Sequence, residues 1–373
     1  ERARQMKQKR KMRIGHIGWL MRNDGPDTET VAWCDINEQQ LARLAVDNPD
    51  IKMYTDWRKM LAGSDLDLVV VSTPNFTHAE IAIAALEAGK HVFLEKPMGI
   101  SRAECNAILE AQKRGGGQLG IDFEIRVSPC ALRLKQVIDS GEYGALRRIE
   151  YIHHQGAWLQ NQAGNHWRLR RETTGGEMLE CPIHYVDIMR FLAGSEIESV
   201  QAVAGPNVMP QYGFEDNMFA HFFFASGVLG TLHNTHTHSA VPRREGQWKN
   251  TAEYMNAMGH DMSMIFTLTG GSIGLDFLAE RIMFNRYEEY PAGTGGLRCV
   301  QDRVELFDHA ADIFFHDSDK MRWAFINRVL AGQPPVLDPL DAWKSHMVCL
   351  AVDQSVAENS RRVTVDYTPP KGW

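Results

Sequence analysis

LDLVVVSTPNFTHAEIAIAALEAGKHVFLEKP, residues 66–97, decides the fold. Leu66 to Thr73 is a nearly continuous aliphatic run, the composition of a strand covered on both faces. Ala79 to Ala88 is rich in alanine and reads as a helix, closed by Gly89 in the C′ position. His91 to Leu94 is the next strand, and Glu95-Lys96-Pro97 follows at its C-terminal end. Strand, crossover helix and strand in this order form a parallel βαβ unit.

Working outward, Met12 to Gly18 reads as the first strand and Thr28 to Asp35 as the second, while Ser101-Arg-Ala-Glu104 is a capping box that opens a further helix. Beyond about residue 125, long alternating segments such as Arg147 to His154 and Asn217 to His238 predict a large, mostly antiparallel sheet. A helix is expected from about Leu179 to Leu192, and helical periodicity returns over Ser318 to Leu330 and Leu340 to Ser360. The expected class is α/β plus α+β. A basic arm (1–11) precedes a Rossmann-type parallel-sheet domain (12–124) and a catalytic and oligomerisation sheet domain (125–373).

Composition limits the partners. Of 373 residues, 40 are Lys or Arg and 47 Asp or Glu, giving a net charge of −7, with no surface excess to draw the chain to nucleic acid or anionic lipid. No apolar run is long enough for a membrane span, and the basic arm lacks the apolar core of a leader peptide. The six cysteines are widely spaced and form no C-x-x-C pair, which fits thiols in the cytoplasm. A small-molecule partner and a homodimer or homotetramer are expected.

Ligands of open α/β sheets bind outside the C-terminal strand ends, where Ser72-Thr-Pro-Asn75 with His78 and Glu95-Lys96-Pro97 fall. These two motifs, Gly175-Gly176, Trp167-Arg168, Glu180-Cys-Pro-Ile-His184-Tyr-Val-Asp187 and Thr269 to Asp276 together resemble the Gfo/Idh/MocA family of glucose-fructose oxidoreductases and inositol dehydrogenases. The resemblance implies an NAD-dependent oxidoreductase acting on a sugar, glycoside or cyclic polyol. By the same resemblance, Thr73, Asn75, His78, Glu95, Lys96, Trp167 and Arg168 would line the cofactor groove.

Chemistry gives the same residues roles. Oxidising a carbinol needs a base, and the ordinary imidazole pKa near 6.5 suits His184. Lys96 would stabilise a developing alkoxide. Glu180, one turn before His184 in a continuous helix, would hold a substrate hydroxyl. Asp35 ends strand two, where a carboxylate accepts from the ribose 2′-hydroxyl, and no arginine follows it, which favours NAD over NADP.

The phosphate turn departs from the G-x-G-x-x-G pattern: in Gly18-Trp19-Leu20-Met21-Arg22-Asn23 only Gly18 remains. The few residues before strand two leave no room for a crossover helix, which is expected to be reduced or absent. Histidines supply a second departure. In Leu229 to His238, a period of two places Asn234, His236 and His238 on one face and His233 on the other. With His184 and Glu180, His236 and His238 could hold a divalent ion such as zinc. The alternative function is then a metal-dependent lyase, hydratase or hydrolase acting on a carbohydrate or hydroxy acid, on a scaffold that has lost productive NAD binding. A non-enzymatic binding subunit ranks last.

Overall fold

Residues 10–156, 166–237, 261–277, 281–307 and 316–373 are described by the computed structural model. The aliphatic runs form six parallel strands: β1 (Met12–Gly18), β2 (Thr28–Cys34), β3 (Lys52–Tyr54), β4 (Leu68–Ser72), β5 (His91–Leu94) and β6 (Leu119–Ile121), in the order β3-β2-β1-β4-β5-β6. Between them run α1 (Glu38–Asp47), α2 (Trp57–Gly63), α3 (His78–Glu87) and α4 (Arg102–Gly115). Side chains stop these helices from fraying: the Asn37 side chain accepts from the Gln40 N–H, and Ser101 accepts from the Glu104 N–H.

No helix joins β1 to β2. Residues 19–27 return as extended chain, and about 30 Å of extended backbone is enough to run back past a seven-residue strand. Side chains of β2 hold this return. The Asn23 N–H donates to Thr30 Oγ1 at 2.7 Å, Thr28 Oγ1 donates to the Asn23 carbonyl at 2.7 Å, and Trp33 Nε1 donates to the Met21 carbonyl at 3.1 Å. His16 and Asn23 lie fully buried between the return and the sheet.

The second sheet has nine strands. In chain order, α5 (Pro129–Ser140) precedes β7 (Leu146–Gly156), then come the short α6 (Arg171–Thr174) and α7 (Glu177–Glu180), and α8 (Ile183–Ala193). The strands β8 (Ile197–Ala204), β9 (Asn217–Phe224), β10 (Leu229–Thr237), β11 (Asp261–Leu268), β12 (Gly271–Asp276), β13 (Arg281–Glu289) and β14 (Leu297–Leu306) follow, then α9 (Ser318–Leu330), α10 (Pro339–Ala357) and β15 (Val363–Thr364). The order is β14-β13-β12-β11-β7-β10-β9-β8-β15; β7 and β10 pair in parallel, and the other described pairs are antiparallel.

The C-terminal helices tie the two sheets together. Phe325 of α9 stacks obliquely on Phe93 of β5 at 5.7 Å, over Gly120 of β6, where a Cβ would stand 2.6 Å from the Phe325 ring. On α10, buried Trp343 donates to Asn106 of α4 at 2.8 Å, and His346 Nε2 accepts the Met98 N–H at 2.8 Å. Among the described residues, no helix is long and apolar enough to cross a membrane.

The helix expected over Leu179 to Leu192 is broken. α7 ends at Glu180, Cys181 leaves helical geometry (φ −130°, ψ −55°), and α8 begins after Pro182. Proline has no N–H to continue the ladder, so Glu180 and His184 do not share one helix face as the spacing suggested.

Candidate active site

A cleft of about 500 Å³ opens at the C-terminal ends of β1, β4 and β5, facing α7 and the start of α9. Thr73, Asn75, Glu95, Lys96, Arg168 and Glu180 line it. Lys96 comes from the turn after β5, and its ammonium donates to the Glu180 backbone carbonyl. The Glu180 carboxylate accepts from Arg168 Nε at 2.8 Å and Asn75 Nδ2 at 2.8 Å. Two donors thus fix it on the cleft wall, and the break at Pro182 turns it away from His184.

Deeper lies a second polar layer. His184, in the first turn of α8, is 5% exposed, and its Nδ1 stands 3.4 Å from Glu124 Oε2. Glu124 sits in a 3₁₀ turn just past β6, and its other oxygen accepts from His316 Nδ1. His316 itself lines the cleft. Burial alone would raise the Glu124 pKa, but the imidazoles of His184 and His316 more than offset this and hold it at about 2. Burial drives His184 well below its ordinary value, Glu124 opposing and Lys96 reinforcing the shift. His184 is therefore an uncharged imidazole beside a carboxylate. Burial, reinforced by Glu124, also raises Glu95, and burial, reinforced by Glu95 and Glu124, raises Asp122 well above the ordinary carboxylate value.

Other residues singled out in the sequence lie elsewhere. His78 is buried, with Nδ1 2.7 Å from the Pro97 carbonyl and Nε2 2.8 Å from that of Thr73; it braces the two strand-end motifs and does not face the cleft. Gly18 is dictated by the fold. At φ +91° its added Cβ would meet the Ser72 carbonyl at 2.1 Å. Asp35 lies just past β2, which ends at Cys34, and its carboxylate accepts from the Asn37 N–H at 2.7 Å. Trp167 lies under the Arg168 guanidinium at 4.7 Å. Neither Asp35 nor Trp167 is on the cleft wall.

The expected metal set is not assembled. His236 Nε2 instead meets the buried Glu177 carboxylate at 2.7 Å, Glu180 is held by Arg168 and Asn75, and His238 lies outside the described residues. His233 packs its ring edge-on to Phe219 at 4.9 Å. Glu124 and His316 were missed. Glu124 follows a parallel strand end and the strand-end rule could have found it; no motif surrounds His316.

A dinucleotide finds part of its usual frame. Strand-end groups at Thr73, Glu95 and Lys96 and the carboxylate of Asp35 suit a nicotinamide and a ribose. The phosphate end differs: the Trp19 N–H, which would face a pyrophosphate, donates to the Ser72 carbonyl at 3.0 Å, and no helix begins there. Arg22 is held by Asp24 and Asp50. The cations that line the cleft are Lys96, Arg168 and Arg322.

A parallel sheet with a cleft at its strand ends, closed by a second sheet domain, defines the class of two-domain Rossmann proteins. The model of an oxidoreductase family with an NAD-binding Rossmann fold, GFO_IDH_MocA, matches residues 14–123, and the GFO/IDH/MocA C-terminal domain matches residues 131–249. Inositol 2-dehydrogenase of Klebsiella pneumoniae (strain 342) is 33% identical over 353 residues, 91% of this chain and 89% of that one. The chain belongs to the Gfo/Idh/MocA family. Against inositol 2-dehydrogenase of Salmonella paratyphi B the identity is 31% over 195 residues, so the match spans 50% of this chain and 55% of the relative's length. Levoglucosan dehydrogenase in complex with NADH superimposes with a TM-score of 0.75 at 20% identity, covering 96% of this chain and 100% of that one, a likeness of fold.

Proposed function

We propose that the protein is an NAD-dependent dehydrogenase that oxidises a secondary hydroxyl of a small carbohydrate or cyclic polyol. The observation that carries this reading is that Lys96, Glu180 and His316 line one cleft at the strand ends of a family Rossmann sheet, with Glu124 and His184 buried behind His316. NAD, when bound, accepts the hydride. Lys96 places its charge beside the hydroxyl oxygen as negative charge develops there. Uncharged His184, with the Glu124 carboxylate 3.4 Å from its Nδ1, takes the hydroxyl proton. Glu180, held by Arg168 and Asn75, presents its remaining acceptor capacity to a neighbouring hydroxyl. Thr73 and Glu95 would hold the nicotinamide, Asp35 a ribose, and Arg168 and Arg322 would supply positive charge for the phosphates in place of the turn at Trp19.

Family membership favours this redox reading over a nucleotide-free lyase or hydrolase. Curated relatives named inositol 2-dehydrogenase, scyllo-inositol 2-dehydrogenase (NAD(+)) and levoglucosan dehydrogenase point to the substrate class. Residues 12–124 serve as the dinucleotide unit and 125–373 as the catalytic and oligomerisation unit. A homodimer or homotetramer forms through the open face of the nine-stranded sheet, where Val203, Phe219 and Ile265 are 48%, 50% and 42% exposed. We place the protein in the cytoplasm, where six cysteine thiols are ordinary.

The test is reduction of NAD by the purified protein with myo-inositol, scyllo-inositol, glucose and levoglucosan, read as dihydronicotinamide absorbance. Turnover with at least one of them is expected, and it should be lost in Lys96→Met. Absence of reduction in this panel, together with no binding of NAD at millimolar concentration, would sink the proposal.

A further inference from the structure

We infer that Glu124, His184 and His316 form a binding site for a single zinc-class divalent cation at the floor of the cleft. Their donor atoms all lie within 4.8 Å of one another, the one such grouping among the described residues. Two ligands at zinc distances of about 2.0–2.1 Å and tetrahedral angles stand about 3.3 Å apart, and Glu124 Oε2 and His184 Nδ1 are separated by 3.4 Å. Both atoms are buried without a hydrogen-bond partner, and both residues are no more than 5% exposed. A buried carboxylate oxygen and a buried imidazole nitrogen that face each other unpaired are costly, and a cation between them satisfies both.

The third ligand and the surroundings fit as well. His316 Nδ1 meets the other oxygen of the same carboxylate, and its Nε2 stands 3.4 Å from the Tyr185 hydroxyl, the kind of outer contact that fixes a ligating ring. Phe123 packs edge-on against His184 at 5.9 Å, keeping one side of the site dry. The three ligands come from a turn after β6, the first turn of α8 and the residues before α9, so no single segment can shift the site alone. Two imidazoles and a carboxylate select zinc and its neighbours over magnesium or calcium. Because His316 borders the cleft, the fourth position opens toward substrate.

What the ion does there rests on the dehydrogenase reading; whether it binds does not. The substrate's hydroxyl oxygen would take the fourth position and lose its proton to cleft water. The carbinol C–H bond then breaks, its electron pair leaving as hydride to reduce NAD⁺ while the C=O bond forms. With the ion bound, His184 is its ligand, and cleft water replaces the imidazole as proton acceptor.

The experiment uses the full chain purified without added metal, stripped with chelator and titrated with Co²⁺, whose four-coordinate visible absorption reports binding independently of turnover; zinc in the unstripped protein is measured in parallel. We expect one ion per chain and a zinc-dependent rise in the unfolding midpoint. Glu124→Gln and His316→Ala should each weaken Co²⁺ binding at least about 100-fold, whereas His221→Ala, an exposed histidine on β9, should not. If either site variant does not unfold cooperatively, the rise in midpoint of the unaltered chain decides. No cobalt spectrum and no zinc-dependent stabilisation in the unaltered chain, or unchanged affinity in Glu124→Gln, would overturn the site. NAD reduction by fully metal-free protein overturns the ion's part in turnover and leaves the dehydrogenase standing; cobalt bound as described with no hydride transfer to NAD supports the site and removes the dehydrogenase.

Discussion

Lys96 reaches the Glu180 carbonyl from the end of β5, so its charge is delivered to the cleft wall at a fixed point. Lys96→Met should lower kcat by about 10²–10⁴-fold while leaving the unfolding transition unchanged, checked by NAD reduction and by chemical denaturation of the same sample. Gly18 behaves oppositely. Gly18→Ala puts a methyl against the Ser72 carbonyl at a positive φ, and we expect a loss of at least about 2 kcal/mol in urea unfolding; an unchanged midpoint would mean that the turn relaxes freely. At this scale the sequence was readable where a residue sat in a motif. Glu95-Lys96-Pro97 marked its own position by following a strand. His78 belongs to the same motif, but its ring nitrogens meet two backbone carbonyls, contacts that no local pattern announces. His316 carries no local pattern; it becomes part of the site through a contact with Glu124 across nearly two hundred residues of chain.

Elements were legible through length and proline. Too few residues separate β1 from β2 for a helix, and none forms; what takes its place was not legible, because it depends on Thr28, Thr30 and Trp33 reaching across to the return. Thr30→Val keeps the shape but orphans the buried Asn23 N–H, and should cost about 1–3 kcal/mol in urea unfolding. His16 beneath the return gives a pH signature. Burial, reinforced by Arg322, lowers its pKa from 6.5 to about 3. The folded chain therefore keeps His16 neutral while the unfolded chain protonates it below pH 6.5, so the contribution is complete above that pH and is lost as pH falls toward 3. By pH 4 the loss is about 3 kcal/mol. His16→Gln should flatten the stability profile between pH 7 and pH 4 by that order, measured as urea midpoints. Spacing suggests one helix face for Glu180 and His184, whereas the N–H that Pro182 lacks leaves them in two separate helices.

Across the whole molecule, the C-terminal helices carry the second sheet's chemistry to the first. α9 packs on the parallel sheet through Phe325 and opens at the cleft, and α10 locks to α4 through Trp343. The outer face of the nine-stranded sheet is left apolar at Val203 and Phe219, paired neighbours on β8 and β9. Phe219→Lys should shift the sedimentation coefficient to that of a monomer without loss of fold; an unaltered chain that already sediments as a monomer would refute the oligomer. Two layers and two sheets could be read from composition and periodicity, but the closeness of Glu124, His184 and His316 could not, because it arises where three separate elements meet. The central claim is that this cleft holds a nicotinamide dinucleotide although the turn after Gly18 offers no helix and no free Trp19 amide. The most direct measurement is titration with NADH, followed by quenching of tryptophan emission with energy transfer to the dihydronicotinamide. Saturable binding below millimolar concentration, weakened by Arg322→Ala, is predicted; the absence of any saturable signal at millimolar NADH would contradict it.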